Sequence, residues 1–272
     1  MKVQGKVVVV TGAGNGMGRE VVLELLRRGA RVAAVDLSAE GLAETARLAG
    51  NPGDRLSTHV VNVALLEQVA ALPEAVVAVH GQIDGLMNIA GIIQRFRKVA
   101  DLAYDEIRRV IDVNFFGDVH MVKEFLPHLV ARPEAQILNI SSMGSYVPVP
   151  GQTIYGASKA AVKLFTEGLR SELAGTNVGV GMLFPGAVAT NIATNSGALT
   201  QAEVERMTKS AGARAHKTTP VDVAGRAIVD AFEGNPFHAF AGSDAKLMYR
   251  LSRLVPERAA KLIQKQMASL LG

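Results

Sequence analysis

The chain has 272 residues, 49% hydrophobic and 20% charged, with 27 glycines, 10 prolines and no cysteine. That apolar share supplies a core and excludes global disorder, and the missing cysteine excludes disulfides, a thiolate nucleophile and Cys-ligated zinc or iron–sulfur centres. Lys plus Arg is 29 against 25 Asp plus Glu, and the whole +4 excess falls in residues 243–272, where six bases meet two acids, so no broad basic surface points to nucleic acid.

No apolar run reaches the roughly 18–20 residues that span a bilayer, and no signal-peptide pattern opens the chain, so a cytoplasmic protein is expected. Residues 6–11, Lys-Val-Val-Val-Val-Thr, read as a short buried strand ended by glycine. Met17, Val21, Val22, Leu25 and Leu26 follow at helical spacing up to Gly29. Further strands are expected at 31–35, 56–61, 85–88, 136–140 and 177–184. Helices are expected at 39–48, from the third strand to about His80, around 103–130 and around 153–174. Near-continuous apolar strands alternating with helices predict an α/β protein, a parallel sheet covered on both faces. No linker and no repeat divides it, so one domain is expected.

Residues 191–217 break the rhythm. They are small and polar at Asn191, Thr194, Asn195, Ser196 and Gly197, and helical from about Gln201. Lying between a strand and the 221–232 helix, they are expected to form a substrate lid at the carboxyl edge of the sheet. A last strand at 237–240 completes a body of residues 1–242. Residues 243–272 read as a basic amphipathic helical extension. Leu247, Leu251, Leu254 and Val255 recur at helical intervals, Pro256 interrupts, and Leu262, Ile263 and Met267 resume. Packing on the body or on a partner subunit is the first expectation. Peripheral contact with a membrane surface is the alternative, motivated by the local charge.

Three features carry chemistry. The turn Thr11-Gly12-Ala13-Gly14-Asn15-Gly16-Met17-Gly18 joins a strand to a helix, where glycines admit a pyrophosphate and the helix start offers N–H groups. Asp36 ends the second strand, 18 residues after Gly18. A carboxylate there accepts from ribose hydroxyls and repels a 2′-phosphate. Asn15, Leu37 and Ser38 bring no positive charge, and Arg19 and Arg31 read as solvated ends of their elements, so NAD is favoured over NADP. Tyr155 and Lys159 stand four apart on one helical face, where the ammonium favours the phenolate. Ser142, just past a strand end, can hold a carbonyl oxygen against that phenol.

With these residues the sequence resembles the classical short-chain dehydrogenase/reductase family. The glycine motif appears from Thr11 to Gly18, the acidic NAD selector as Asp36, and the Asn-Asn-Ala-Gly motif as Asn88-Ile89-Ala90-Gly91. The tetrad matches Asn114, Ser142, Tyr155 and Lys159, and Pro185-Gly186 with Thr190 matches the motif after the next strand. The resemblance spans about residues 5–240. It implies a Rossmann-type doubly wound sheet of seven strands and a homotetramer or homodimer built on the helices near 103–130 and 153–174. It also implies direct hydride transfer with Tyr155 exchanging the proton. Lys159 would lower the tyrosine pKa and bind the nicotinamide ribose, Ser142 would orient the substrate, and Asn114 would hold a water. Gly12, Asn15, Gly16, Met17, Gly18, Asp36, Leu37, Asn62, Val63, Asn88, Ala90 and Gly91 would line the cofactor, together with Pro185, Gly186, Val188 and Thr190.

Two positions depart from the family pattern: Asn62 stands where an Asp is frequent, and Ile89 replaces the second Asn of its motif and is expected to face the core. Asn62 can still accept from the adenine amino group. Met143, Ile93, Val149, Gln152 and Ala187, with Ser142 and Tyr155, would edge the substrate pocket. That mostly apolar wall predicts a hydrophobic secondary alcohol or ketone rather than a sugar. No metal is expected, since His59, His80, His120, His128, His216 and His238 suggest no close pair; His216 alone is a candidate for touching substrate. The competing function is a non-catalytic NAD-binding regulatory or structural protein on the same fold.

Overall fold

The computed structural model describes residues 1–200, 202–203 and 218–267. Its seven strands are β1 (Val7–Thr11), β2 (Arg31–Asp36), β3 (Leu56–Val60), β4 (Gly85–Asn88), β5 (Ala135–Ile140), β6 (Val178–Pro185) and β7 (Ala239–Ala241). All pair in parallel, in the order β3-β2-β1-β4-β5-β6-β7. The helices are α1 (Gly16–Arg27), α2 (Ala39–Leu48), α3 (Leu66–Ala70), α4 (Leu72–His80), α5 (Tyr104–Ile111) and α6 (Gly117–Val130). They continue as α7 (Thr153–Glu172), α8 (Ile192–Asn195), α9 (Val221–Gly234), α10 (Ser243–Leu254) and α11 (Pro256–Met267).

The two-residue period of the strands sorts the core into two layers. Val8, Val10, Val32 and Ala34 turn to one face, where Leu25 of α1 and Ile228 and Phe232 of α9 cover them. Val7, Val9, Ala33 and Val35 turn to the other, under Val76 of α4 and Met121 and Phe125 of α6. Each central strand is therefore buried on both sides, which is why its sequence shows a run of apolar residues instead of alternation.

The expected elements form, with four corrections. The single helix expected before His80 is split into α3 and α4, because Pro73 in the first turn of α4 has no N–H to continue a preceding helix. The 103–130 helix contains a π-helical stretch, Asp112–Phe116, between α5 and α6. The last strand starts at Ala239 rather than 237, since Asn235 turns the chain in a left-handed conformation and pairing with β6 begins only at Leu183↔Ala239. The histidines do include a close pair: Ser57 Oγ lies 2.8 Å from Nε2 of both His59 and His80, joining β3 to the end of α4. Those histidines stand 21 positions apart in the chain, so spacing hides the contact. Of the expected lid, residues 204–217, His216 included, lie outside the described residues.

Burial lowers the pKa of both His59 and His80. Below about pH 6.5 the unfolded chain then binds more protons than the folded one, so their stabilisation is complete above that pH and is lost as pH falls. Melting temperature is expected to drop between pH 7 and pH 5, and His80→Gln to flatten that drop. Parallel melting curves for the two proteins across this range would contradict it.

The extension packs on the body. Ala245, Met248, Ala259 and Ile263 are buried with Val147, beside Met143 and Tyr146, while Leu247, Leu254 and Leu262 are exposed. No helix among the described residues is long and apolar enough to cross a membrane.

Candidate active site

Strand order reverses between β1 and β4, so connections leave the sheet in opposite directions and open a crevice at the carboxyl edge. The glycine turn fills its floor. Gly12 has φ +69°, and a Cβ there would stand 3.0 Å from the Ala90 backbone; a Cβ on Gly18 would strike the Gly12 carbonyl. Thr11 Oγ1 accepts from the backbone N–H of Ile89 at 2.9 Å and of Ala90 at 3.1 Å, clamping the turn against the Asn88–Gly91 motif. Asn15 precedes α1 without capping it through its side chain, which leaves the first-turn N–H groups available to an anion.

The resulting cleft has a volume of about 550 Å³ and runs from Asp36 to Thr190. It gathers Gly12, Asn15, Gly16, Met17 and Gly18 with Leu37, Asn62, Val63, Ala90 and Gly91. Ile89 belongs to the core, as expected, and also touches the cleft. Asn88 is not brought there. It is buried, and its amide donates to Asn139 Oδ1 at 2.9 Å, with Asn139 in turn bonded to Thr166. Ile192, Asn195 and Ser196 close the other side, held by Ser196 Oγ accepting from Ile93 N–H at 3.0 Å.

The Asp36 carboxylate is fixed in place. Its Oδ2 accepts from Gly14 N–H at 2.8 Å and its Oδ1 from Ser38 N–H at 2.9 Å. Arg19 is not the solvated end expected of it. Its guanidinium donates to Thr45 Oγ1 at 3.1 Å and to the Gly14 carbonyl, beneath the turn. Arg31 lies at the opposite end of β2, near Asp54. The described lining therefore carries two carboxylates, Asp36 and Glu40, and no Lys or Arg. Asn62 Oδ1 accepts from Ala64 N–H at 3.0 Å and stays at the cleft wall.

At Gly91 the cleft comes up against Asn114 and Lys159. A Cβ on Gly91 would stand 3.3 Å from both Asn114 Oδ1 and Lys159 Nζ, so only glycine lets the cleft reach them. Lys159 Nζ donates to the Ile140 carbonyl at 2.9 Å, and the Tyr155 ring and Ser142 Oγ meet at Gly144. Ser142 Oγ also accepts from Gly144 N–H at 3.0 Å. Asn114 is spent on the scaffold: its Oδ1 accepts from Ile92 N–H at 2.8 Å, and its Nδ2 donates to Ile92 O and Ser158 Oγ, each at 2.9 Å. Because it sits in the π-helical stretch, the regular carbonyl ladder is interrupted beside it.

Burial pushes the Tyr155 phenol above its ordinary value, with the Ser142 hydrogen bond acting the other way. Burial also pulls the Lys159 ammonium down. The net direction in the protein itself is therefore upward, opposite to the lowering expected from Lys159, because solvent is lost around the phenol.

Sequence reasoning missed the group that anchors Tyr155. Gln94 Oε1 accepts from the backbone N–H of Ile154 at 2.8 Å and of Tyr155 at 3.0 Å, capping α7 from outside its own segment. Gln152 donates to the Gln94 carbonyl at 2.7 Å and is buried. A cap supplied from about sixty residues away leaves no local signal. Met143 and half-buried Val149 lie on the loop after Ser142, and buried Ile93 lies on the loop before α5.

The extension holds two of these loops. Asp244 Oδ2 accepts from Ala187 N–H at 2.8 Å, beside Pro185, Gly186 and Val188, and Tyr146 Oη donates to the Ala245 carbonyl at 2.8 Å. Asp244→Ala is expected to lower stability by about 1.5–3 kcal/mol, the worth of a hydrogen bond to a charged group. Urea unfolding checks this, and an unchanged midpoint would contradict it.

A glycine turn at the switch point of a parallel sheet, with Tyr155 and buried Lys159 one helical turn apart on α7, fits a dinucleotide-dependent oxidoreductase. A family model described as short chain dehydrogenase matches residues 6–201, and the chain belongs to that family. It is 35% identical over 262 residues to a Mycobacterium tuberculosis protein named "Putative oxidoreductase SadH", covering 96% of this chain and 94% of that one. It is 36% identical over 191 residues to the 3-oxoacyl-[acyl-carrier-protein] reductase FabG of Thermotoga maritima, covering 70% and 77%. A Burkholderia phymatum short chain dehydrogenase/reductase crystallised with NAD superposes with a TM-score of 0.84 at 26% identity, over 95% of this chain and 96% of that one. A Burkholderia cenocepacia short chain dehydrogenase crystallised with NADP gives 0.79 at 27%, over 97% and 99%.

Proposed function

We propose that this chain is an NAD(H)-dependent oxidoreductase that interconverts a hydrophobic secondary alcohol and its ketone, with Tyr155 as general acid/base. The observation that carries the reading is that Tyr155 and Ser142 meet at Gly144, with buried Lys159 one helical turn along α7. The cleft suits NAD: Gly12 leaves a cradle that a Cβ would fill, and Asp36 offers acceptors to ribose hydroxyls where, among the described residues, no cation lines the wall to receive a 2′-phosphate. The relatives' cofactors, NAD in one solved structure and NADP in another, leave this choice to Asp36.

When bound, NAD supplies the hydride-accepting ring. The chain supplies position and proton transfer. The α1 N-terminus and the glycine turn hold the pyrophosphate, Lys159 binds the nicotinamide ribose, and the backbone near Pro185 and Val188 sets the ring face. Ser142 holds the substrate oxygen by a hydrogen bond, and the Tyr155 phenol gives or takes its proton at that same oxygen. Met143, Ile93 and Val149 supply an apolar wall, which favours a hydrophobic substrate. Self-association through α5–α6 and α7 fits the exposure of Phe116 and Leu164.

The test is NADH formation on a graded panel of secondary alcohols, from short aliphatic to steroid-sized, with NADP as the second cofactor. Turnover with NAD that increases with apolar substrate size is the expected result. Turnover with NADP alone, or NAD binding without turnover on any alcohol, would overturn the reading.

A further inference from the structure

Beside the Tyr–Lys pair lies a carboxylate that no step above uses. Asp118 stands four residues beyond Asn114, is 3% exposed, and leaves Oδ2 without a hydrogen-bond partner. An uncompensated buried carboxylate is strongly unfavourable, so this position requires an opposite charge nearby. Lys159 is that charge: its buried ammonium on α7 stands against Gly91 together with Oδ1 of Asn114, four residues before Asp118, donates to the Ile140 carbonyl, and attracts Asp118 electrostatically.

The backbone rules out a capping role. Phe116 and Gly117 are both in right-handed helical conformation, and α5, the π-helical stretch and α6 run on without a break. The start of α6 therefore has no free N–H groups for a carboxylate to cap. Nor do the surroundings offer a third charge. β5 presents the Ile140 carbonyl, the loop after β4 presents Gly91, and α7 presents Ser158 and the titratable Tyr155. Asn114, on the α6 side, is spent on Ile92 and Ser158. Among the described residues, the one charge that acts on Asp118 is Lys159, and the one that acts on Lys159 is Asp118. Burial alone pushes the carboxyl up and the ammonium down, and each attraction opposes that change.

We propose that Asp118 is a positioning residue: it keeps Lys159 in its ammonium form where α7 packs on the π-helical stretch, and through Lys159 lowers the pH at which the Tyr155 phenol ionises. The proposal rests on the reading of Tyr155 and Lys159 given above, and it adds a residue that touches neither substrate nor cofactor. With Asp118 neutral, burial acts on Lys159 unopposed, the amine loses its proton, and the phenolate one helical turn away loses its cation.

Ultraviolet titration of tyrosinate tests it without substrate. Subtracting the Tyr155→Phe titration from that of the unaltered protein isolates Tyr155 from Tyr104, Tyr146 and Tyr249. The same subtraction is made in an Asp118→Asn background, which keeps the side-chain shape and removes the charge. The Tyr155 midpoint is expected to rise by about one pH unit or more, and Asp118→Glu to return it toward the original value. If Asp118→Asn fails to fold, Asp118→Ser serves as the neutral variant. An unchanged midpoint with only a lower melting temperature would make Asp118 structural. A downward shift would mean that its charge opposes the phenolate directly, and either result overturns the proposal. Because no alcohol enters the titration, a failed substrate panel and a failed Asp118 titration are separate outcomes.

Discussion

Tyr155→Phe is expected to lower kcat for alcohol oxidation by roughly 10²–10⁴-fold, the range that a positioned general acid/base contributes. The ring stays and only the hydroxyl goes, so the Gln94 cap on α7 and the packing around the ring persist. Melting temperature and NAD affinity should therefore change little. The unaltered protein adds a second signature. Burial holds the phenol above its ordinary value, so it is protonated at neutral pH and ready as an acid. Oxidation needs the phenolate, and its rate should climb as pH rises toward that pKa. Ketone reduction needs the phenol, and should stay level until the pH at which oxidation is fastest. Stopped-flow or steady-state rates against pH in both directions check this. Tyr155→Phe with full activity would remove the mechanism, and matching pH profiles in the two directions would remove its proton assignment.

The second large effect falls on cofactor choice. Asp36→Ser is expected to weaken NAD and improve NADP until their preference reverses. One lost hydrogen bond to a charged group is worth about 1.5–3 kcal/mol, or roughly 10–150-fold in affinity for NAD. The gain for NADP has two sources. A carboxylate that repels the 2′-phosphate disappears, and the Gly14 and Ser38 N–H groups that it occupied become free to donate to that phosphate. Arg19 should add little, because its guanidinium is tied to Thr45 and to the Gly14 carbonyl. Kd values by fluorescence titration of NADH and NADPH measure the switch. Equal losses for both cofactors would show that Asp36 supports the turn without selecting the ribose.

Much of the fold was legible because its signals are local. A run such as Val7–Thr11 ended by glycine, followed by apolar residues at helical spacing, specifies one β–α unit whatever surrounds it. Repeating the unit with buried strands leaves little choice but a parallel sheet with helices on both faces. The α3–α4 break was also written locally, in Pro73, and was missed because apolar spacing runs across it. The π-helical stretch carries no such mark. Its five residues, Asp-Val-Asn-Phe-Phe, are weak helix formers without the proline or glycine that would mark a break, and Asn114 within it bonds to Ile92 and to Ser158 of α7.

The candidate site divides in the same way. Gly12, Gly18, Asp36, Tyr155 and Lys159 were readable because a tight turn, a strand end and a four-residue helical spacing each tie side-chain position to position in sequence. Gln94 capping α7, Asp244 holding Ala187, Ser57 bridging two histidines and Asp118 facing Lys159 were not, because each joins elements that lie far apart in the chain. By itself the sequence determined the units, the glycine turn and the spacing of the candidate site side chains, all governed by backbone geometry over a few residues. Only the tertiary structure decided which buried polar groups share a seam. Burial removes water from both partners, and a charge or a hydrogen bond placed there then depends on whatever the fold brings within reach.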